Sequence, residues 1–256
     1  MLTNLPDELL DEILFYVNSE HDLISLALTC KRISRQVNPS NLDFRTIEGT
    51  FAGHIPNDLW KDLVGLPRLY QRKIRKIRLE KYYEHNETRH DYEDNKFHLP
   101  ASLRYAKAYG PRIEEDMIES TRYLVNAIHH LDCLVEFRWS CSTLTTLSLL
   151  RLLSHSAPLL ECFNVMRSRG ADVCLNDKVS LPAVNRTLNH LTEITFGCDR
   201  QSYTDEPEVL EQIMNIGPNV EGCSVIFTDP YGTDVDYFFE STSSIWPELT
   251  TFEIIF

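Results

Sequence analysis

The first forty residues carry apolar side chains at helical spacing. An i, i+3, i+4 pattern predicts an amphipathic helix through Leu9, Leu10, Ile13, Leu14 and Val17. A polar interruption at 18–21 ends this stretch, and the pattern resumes between Leu23 and Ile33 in one or two further helices. Three such short helices cannot bury this much apolar surface among themselves. We therefore expect the rest of the chain, or a partner, to cover the excess.

A different apolar pattern recurs six times along the remaining residues. Each window has apolar residues at positions −3, 0 and +2, and the zero positions are Ile77, Phe137, Phe163, Ile194, Cys223 and Phe252. These zero positions are separated by 60, 26, 31, 29 and 29 residues. The near-constant spacing of the last five windows predicts an internal repeat that contains one strand in each unit.

Helix-like stretches lie between these windows. Apolar residues at helical spacing predict helices at 113–131, 144–153 and 208–216, and the last of these stops at Gly217-Pro218. The long first separation leaves room for an insertion. Residues at about 82–97 are rich in Glu, Asp, His and Asn and have almost no aliphatic side chain. That composition predicts an exposed loop inserted into the first unit.

Composition and charge narrow the class of protein. The 256 residues are 43% hydrophobic and 25% charged, which is typical of a chain that buries a core. The 25 Lys and Arg against 38 Asp and Glu give a net charge of −13. Such a balance argues against nucleic acid as a partner, and the chain has no membrane-length apolar run. We expect neither partner, and a location in the cytoplasm, the nucleus or both.

The charge is distributed unevenly along the chain. Between Arg68 and Lys81 there are seven Lys or Arg and one acidic residue, Glu80. This basic cluster either contacts an acidic neighbour or the insertion loop, or forms a solvated face. Residues 201–256 hold eleven Asp or Glu and no Lys, Arg or His. That acidic C-terminal stretch favours basic protein partners.

Several polar clusters raise the question of chemistry. His85, His90 and the carboxylates near them fit no zinc spacing, and the adjacent His129 and His130 would point about 100° apart on a helix. The chain has no nucleophile elbow, glycine-rich phosphate loop or His-Glu-x-x-His motif. Seven cysteines without Cys-x-x-Cys spacing are typical of reduced, core-filling thiols. We expect no enzymatic activity, no metal and no cofactor.

The N-terminal residues combine several short motifs. Leu5-Pro6 precedes an acidic turn, Leu-Leu-x-x-Ile-Leu follows at 9–14, and Thr29-Cys30-Lys31-Arg32 comes after a polar break and Asp-Leu-x-x-Leu. In this order the segment 2–38 resembles an F-box, a three-helix module that docks on the Skp adaptor of cullin-based ubiquitin ligases. It departs at Ile33, where the family often has Trp.

The F-box resemblance implies a set of adaptor-facing residues. Some of them instead hold the three helices together, and the sequence does not divide the set. Its members are Leu5, Pro6, Leu9, Ile13, Leu14, Leu26 and Cys30.

The recurring windows carry a second resemblance. One strand and one helix every 26–31 residues resembles leucine-rich repeats over about 67–256, although the turn position after each strand holds Tyr82, Ser142, Ser168, Asp199 and Thr228 rather than Asn or Cys. The resemblance implies an irregular α/β solenoid with a parallel, concave sheet. Residues between the apolar strand positions would face that surface and form a candidate target-binding face: Lys76, Arg78, Glu136, Arg138, Asn164, Met166, Glu193, Thr195 and Glu253.

These expectations give one organisation and one function. We expect an F-box module at 1–45, a connector at 46–66 and the repeat region at 67–256. Together the two resemblances imply a non-catalytic substrate receptor that joins a Skp-type adaptor, and through it a cullin, to an unknown target protein. The alternative is a repeat scaffold whose N-terminal helices cap the solenoid. The closing stretch 249–256 predicts a strand without a cap, hence a truncated chain or a covering partner.

Overall fold

The computed structural model describes most of the elements that the sequence predicts. It covers residues 5–17, 19–37, 42, 44–51, 57–81, 97–98, 114–142, 144, 146–167, 186–198, 212–227 and 249–255. All structural statements below refer to these residues.

Three short helices form the N-terminal module. They are α1 (Asp7–Phe15), α2 (Glu20–Ala27) and α3 (Lys31–Val37). Pro6 precedes the first turn of α1, and the Ser19 hydroxyl caps α2 by accepting a hydrogen bond from the Asp22 N–H at 3.2 Å. The prediction of three helices is confirmed. Their inward faces form a small core from Leu10, Leu14, Leu23, Ile33 and Val37.

The rest of the described chain is built on one open sheet. The strands are β1 (Thr46–Phe51), β2 (Lys76–Lys81), β3 (Phe97–His98), β4 (Glu136–Ser142), β5 (Cys162–Arg167), β6 (Glu193–Cys198), β7 (Gly222–Phe227) and β8 (Thr251–Ile255). These eight strands lie in the order β3-β1-β2-β4-β5-β6-β7-β8. All neighbours are parallel except β3, which runs antiparallel to β1 at the edge. Apart from β3, each strand therefore lies beside the one that precedes it in the chain.

Helices cover one face of this sheet. They are α4 (Asn57–Gly65), α6 (Glu114–Ile128), α7 (Thr146–Ser156) and a helical turn at 212–216, while the short α5 (Arg68–Gln71) precedes β2. Apolar residues of α4, α6, α7 and 212–216 join the strands in one continuous core. The predicted helices at 113–131 and 144–153 are confirmed by α6 and α7. Of the helix predicted at 208–216, residues 208–211 lie outside the described chain.

The strand register aligns the recurring apolar windows side by side. Their zero positions form one ladder across the sheet, and the +2 positions Leu79, Trp139, Val165, Phe196 and Val225 form a second, buried ladder. Because side chains alternate along a strand, both ladders face the helices. The recurring template thus marks one strand per window, as predicted. The zero-position ladder is Ile77, Phe137, Phe163, Ile194, Cys223 and Phe252, preceded by Ile47.

A repeated backbone contact holds this register. At the start of β2 and of each strand from β4 to β8, two consecutive N–H groups donate to a single carbonyl oxygen of the preceding unit, at 2.7–3.1 Å. The carbonyl always belongs to the residue two positions before the zero position. Sharing one acceptor between two donors fixes the stagger of neighbouring strands at their starting edge. The acceptors are the carbonyls of Arg45, Arg75, Val135, Glu161, Thr192 and Glu221.

Two expected boundaries change. Residues 46–66 are not a connector, because they contain β1 and α4, and Ile47, Trp60 and Leu63 are buried in the main core. The sheet therefore begins directly after the N-terminal module. The insertion predicted at 82–97 lies outside the described residues up to 96, and Phe97 with His98 forms β3 against Glu48 and Gly49. No helix in the described chain is long and apolar enough to cross a membrane.

Candidate functional site

The N-terminal module exposes a row of apolar side chains. The inward faces of α1 and α2 are buried, but Leu9 is 54% exposed and Leu28 is 82% exposed. Folding gains nothing from apolar side chains that remain in water. Five residues form the exposed apolar set, as we call it below: Leu9 and Ile13 on α1, Tyr16 just after it, Ile24 on α2 and Leu28 just after α2.

The structure divides the predicted adaptor-facing residues into exposed, partly buried and buried ones. Pro6, Leu9 and Ile13 are exposed, and Leu5 is half-buried. Leu14 is only 1% exposed and lies in the core of the module, so its side chain is not on the surface. Leu26 and Cys30 pack against the same core and are partly accessible.

Sequence reasoning missed three members of the exposed apolar set. Tyr16 lies three residues after Ile13 and seven after Leu9, so helical spacing alone places it on their face. Ile24 and Leu28 are four residues apart and share a face of the second helix in the same way. The signal that could have found them is the buried stripe through Leu23, because it lies on the opposite face of α2 and so leaves Ile24 and Leu28 on the surface.

An arginine from α3 fixes the start of α1. The Arg32 guanidinium donates to Asp7 Oδ1 from Nε at 3.1 Å and from Nη2 at 2.5 Å, and Nη2 also donates to the Leu5 carbonyl at 2.5 Å. The hydrogen bond from Arg32 lowers the pKa of Asp7 below its ordinary value. Residues 5–7, which lead into the exposed apolar set, are therefore held against α3.

Buried cations join the module to the sheet. The Lys73 ammonium, in a side chain that is only 7% exposed, donates to Asp11 Oδ1 at 3.1 Å. Arg45 donates to the carbonyl of Phe15, the last residue of α1, and to that of Val17 just beyond it. Arg75 lies 5.4 Å from the centre of the Phe15 ring. Burial, followed by the charge of Arg75, lowers the pKa of Arg45 to about 10. Carbonyls at a helix C-terminus favour such cations.

The basic cluster between Arg68 and Lys81 therefore has internal partners. Besides Lys73 and Arg75, Arg68 donates to Asp132 Oδ2 at 3.0 Å and to the His130 carbonyl at 2.9 Å. Of the alternatives that the sequence left open, contact with an acidic neighbour holds for Lys73, which pairs with Asp11, and for Arg68, which pairs with Asp132. The solvated face is wrong for Lys73 and Arg75, which are buried.

The sheet face opposite the helices forms the second candidate surface, which we call the open face. Register places Arg78, Arg138, Asn164, Thr195 and Glu253 in one row across five strands, together with Ser224 on β7. Lys76, Glu136 and Glu193 lie in the adjacent row with Cys162. Glu193 and Glu253 are exposed and the others are half-buried, except Glu136, which is buried. The side chain of Met166 lies outside the described chain.

Glu136 organises the basic end of this surface. Its side chain is 8% exposed and accepts two hydrogen bonds of 2.8 Å from Arg78, from Nε to Oε1 and from Nη2 to Oε2. Arg138 places its Nε against Oε1 from the other side. Burial alone would raise the pKa of Glu136, but the hydrogen bonds from Arg78 and the charges of Arg138, Arg78 and Lys76 outweigh it. The pKa is lowered from 4.5.

Comparison with known protein families decides the nature of the N-terminal module. Residues 2–44, which span α1 to α3, match the family model described as F-box-like. The N-terminal helices form an F-box-like domain. The resemblance seen in residues 2–38 is confirmed for this domain, and the match ends just before β1. No curated protein matches the chain significantly.

The junction between the F-box-like domain and the sheet yields a test by double mutation. Asp11→Ala should destabilise the protein by about 2 kcal/mol or more, because it leaves the Lys73 ammonium buried without its carboxylate. Adding Lys73→Met should recover part of that loss, which gives a coupling free energy of about 1–3 kcal/mol in urea unfolding. Strict additivity of the two substitutions would show that the pair does not couple the domains.

The open face yields a test by pH. A carboxylate whose folded pKa is lowered adds stability above its unfolded pKa and loses it as pH falls through the folded value. Glu136→Gln should therefore cost about 1–3 kcal/mol near neutral pH, and the difference from wild type should hold down to about pH 5 and shrink between about pH 5 and about pH 3, because the folded pKa lies below 4.5. Urea unfolding at both ends of this pH range measures the difference in stability between Glu136→Gln and wild type. The same change at exposed Glu161 should cost little, and a Glu136→Gln penalty that does not vary with pH would contradict the assignment.

The histidines and cysteines considered next contact neighbouring side chains or are buried. His129 Nδ1 lies 3.1 Å from Ser156 Oγ, whereas His130 Nδ1 lies 3.1 Å from Arg68 Nη1, so the adjacent histidines have different partners. Burial raises the pKa of Cys162 to about 11 and that of Cys223 to about 12, which keeps both thiols protonated and unreactive. Within the described ranges, no group of three or more His, Cys, Asp or Glu is placed to hold a metal ion.

Proposed function

We propose that this protein is a non-catalytic substrate receptor of an SCF-type ubiquitin ligase. Its F-box-like domain would dock on a Skp-type adaptor and, through that adaptor, on a cullin. The sheet would hold the target protein, and the ligase would act by proximity, since it brings target lysines to the conjugating enzyme. The single observation that carries the proposal is the exposed apolar set on the F-box-like domain.

The energetics of this surface favour a docking role. A large apolar side chain gains about 1.5–3 kcal/mol when it is fully removed from water. Leu9, Ile13 and Leu28 remain exposed to water in the isolated chain and do not gain this free energy on folding. A hydrophobic partner groove would recover it, and a few such anchors supply most of the affinity in typical interfaces.

The alternative function, a solenoid cap, fits the contacts less well. A cap that covers the open end of the sheet core would share one apolar cluster with it. Here the three helices have a separate cluster of their own. They meet the sheet through Lys73, Arg45 and Arg75 rather than through a continuous core. This polar junction favours a distinct docking module that is held in a set orientation.

The target-holding half of the proposal rests on the sheet. Parallel strands in chain order, with helices on one face, resemble leucine-rich repeats, and we interpret the sheet as an irregular array of that kind. In such arrays the exposed strand face commonly binds other proteins. We expect the protein to act in the cytoplasm or the nucleus, where its ligase partners would be found.

Reconstitution tests the proposal. Purified full chain, Skp-type adaptor and cullin should elute together from a sizing column as one complex, and omission of the adaptor should release the cullin. Co-elution would also exclude a cap whose apolar face is occupied by the sheet. If the full chain elutes alone while adaptor and cullin elute together, the ligase assignment is wrong.

A further inference from the structure

The open face carries positive charge at one end and negative charge at the other, and we propose that it recognises an extended target segment with complementary charges. An acidic residue of the segment would meet Arg138, and basic residues would meet Glu193 and Glu253. This inference rests on the proposed receptor role, under which the segment belongs to the ubiquitination target. The occupant of the open face is a segment of a protein.

The face is accessible in the described part of the chain. The buried ladders and the helices α4, α6, α7 and 212–216 all lie on the opposite side of the sheet. Between the two ends of the face the row contains Asn164, Thr195 and Ser224, and Gly222 lies in the adjacent row. These short side chains leave the backbone of an extended segment room to approach and provide hydrogen-bonding groups along its path.

Arg138 is available for an anion and Arg78 is not. Two nitrogens of the Arg78 guanidinium donate hydrogen bonds to Glu136 in a bidentate pair. Arg138 touches Glu136 only through Nε, its side chain is 38% exposed, and no described residue accepts a hydrogen bond from its Nη groups. A carboxylate that approaches the outer edge of this guanidinium would form a charge-assisted pair.

The other end of the face lacks cations. Glu193 and Glu253 are exposed, and Glu253 Oε2 accepts only a 3.3 Å hydrogen bond from Ser224 Oγ among the described contacts. Neither carboxylate forms an ion pair with a described residue. The surrounding stretch 201–256 contains no Lys, Arg or His to supply one. Lysine or arginine side chains of a partner would complement this end.

The register sets the spacing of the recognised charges. Arg138 and Glu253 lie in one row, separated by the four strand steps from β4 to β8. Four steps of about 4.8 Å make about 19 Å, and an extended chain covers that distance in about six residues. The favoured segment therefore has an acidic residue about six positions from the basic residue that meets Glu253, in either chain direction. Glu193 lies on β6, only two strand steps from Arg138, so a basic residue that meets it would lie about three positions from the acidic one.

A peptide array tests this proposal. Short synthetic peptides would present one Asp and two Lys at varied separations in a Gly-Ser-Thr background, and the full-length protein would be the probe. Wild type should bind the six-residue separation about tenfold better than a two-residue separation. Arg138→Glu should remove the preference for Asp only, and Glu193→Lys/Glu253→Lys should remove the preference for Lys only.

A matched control keeps the charge change constant. Glu161→Lys/Glu221→Lys makes the same change at exposed glutamates that precede β5 and β7 and lie off the face. This control should retain the wild-type preferences. Equal losses in the control and the Glu193→Lys/Glu253→Lys variant, or no peptide bound above background by wild type, would overturn the inference.

Adaptor capture by the same preparations separates this inference from the proposed function. Capture without charge preference overturns the inference alone. Charge preference without capture supports the open face as a binding surface and overturns the ligase assignment.

Discussion

Leu9→Glu/Ile13→Glu will abolish capture of a Skp-type adaptor and leave the fold intact. Both side chains are exposed on α1, so glutamate at these positions buries no charge and should shift the free energy of unfolding by less than about 0.5 kcal/mol. In the complex the same two carboxylates would have to enter an apolar groove without a partner. We expect at least about a hundredfold loss of affinity in a pull-down or a titration.

A matched pair of leucines controls for added negative charge. Leu69 on α5 and Leu159 before β5 are also exposed but lie outside the F-box-like domain. Leu69→Glu/Leu159→Glu adds the same two charges and should capture the adaptor as wild type does. Wild-type capture by Leu9→Glu/Ile13→Glu would show that the exposed apolar set is not the docking surface.

Phe163→Ala will produce the largest loss of stability among single substitutions on the sheet. Phe163 is fully buried at the centre of the zero-position ladder, and its ring stacks on Phe137 at 6.3 Å between centroids. Truncation removes the ring and leaves a cavity that close-packed neighbours cannot refill, at a cost of about 3–5 kcal/mol. Urea unfolding measures this loss, and Phe163→Leu should cost less than about 1.5 kcal/mol.

The same truncation at the end of the ladder is the control. Phe252 on β8 occupies the equivalent position but is only partly buried. Phe252→Ala should cost about 1–2 kcal/mol, because less of the ring leaves water on folding. Equal costs at Phe163 and Phe252 would contradict the described register and burial.

Six of the seven parallel strands could be predicted from the apolar template, and five of these six recur at near-constant spacing. Their apolar windows repeat because each unit must place the same side chains against its neighbour's core. The missed strand, β1, has its zero position at Ile47, which precedes Ile77 by 30 residues (77 − 47) and so falls within the spacing of 26–31 of the later units. Gly49 at its +2 position hid it, since a glycine carries no apolar signal.

The contacts of the candidate sites were less predictable. Lys73 pairs with Asp11 across 62 residues of sequence, and a long-range ion pair leaves no local pattern. Likewise, the apolar stripe of α1 is broad enough to serve both the module's core and a partner. Only the packing of α3 shows that Leu14 is buried and that Ile13 is not. The F-box resemblance could therefore name the set but not divide it.

Direct binding of the purified partners tests the central claim most plainly. Full-length protein titrated calorimetrically with a purified Skp-type adaptor should bind with one-to-one stoichiometry and a Kd below about 1 µM, with the negative heat-capacity change that apolar burial produces. Folded protein that releases no heat and shows no association at adaptor concentrations up to about 100 µM would contradict the assignment of the F-box-like domain as an adaptor-docking module.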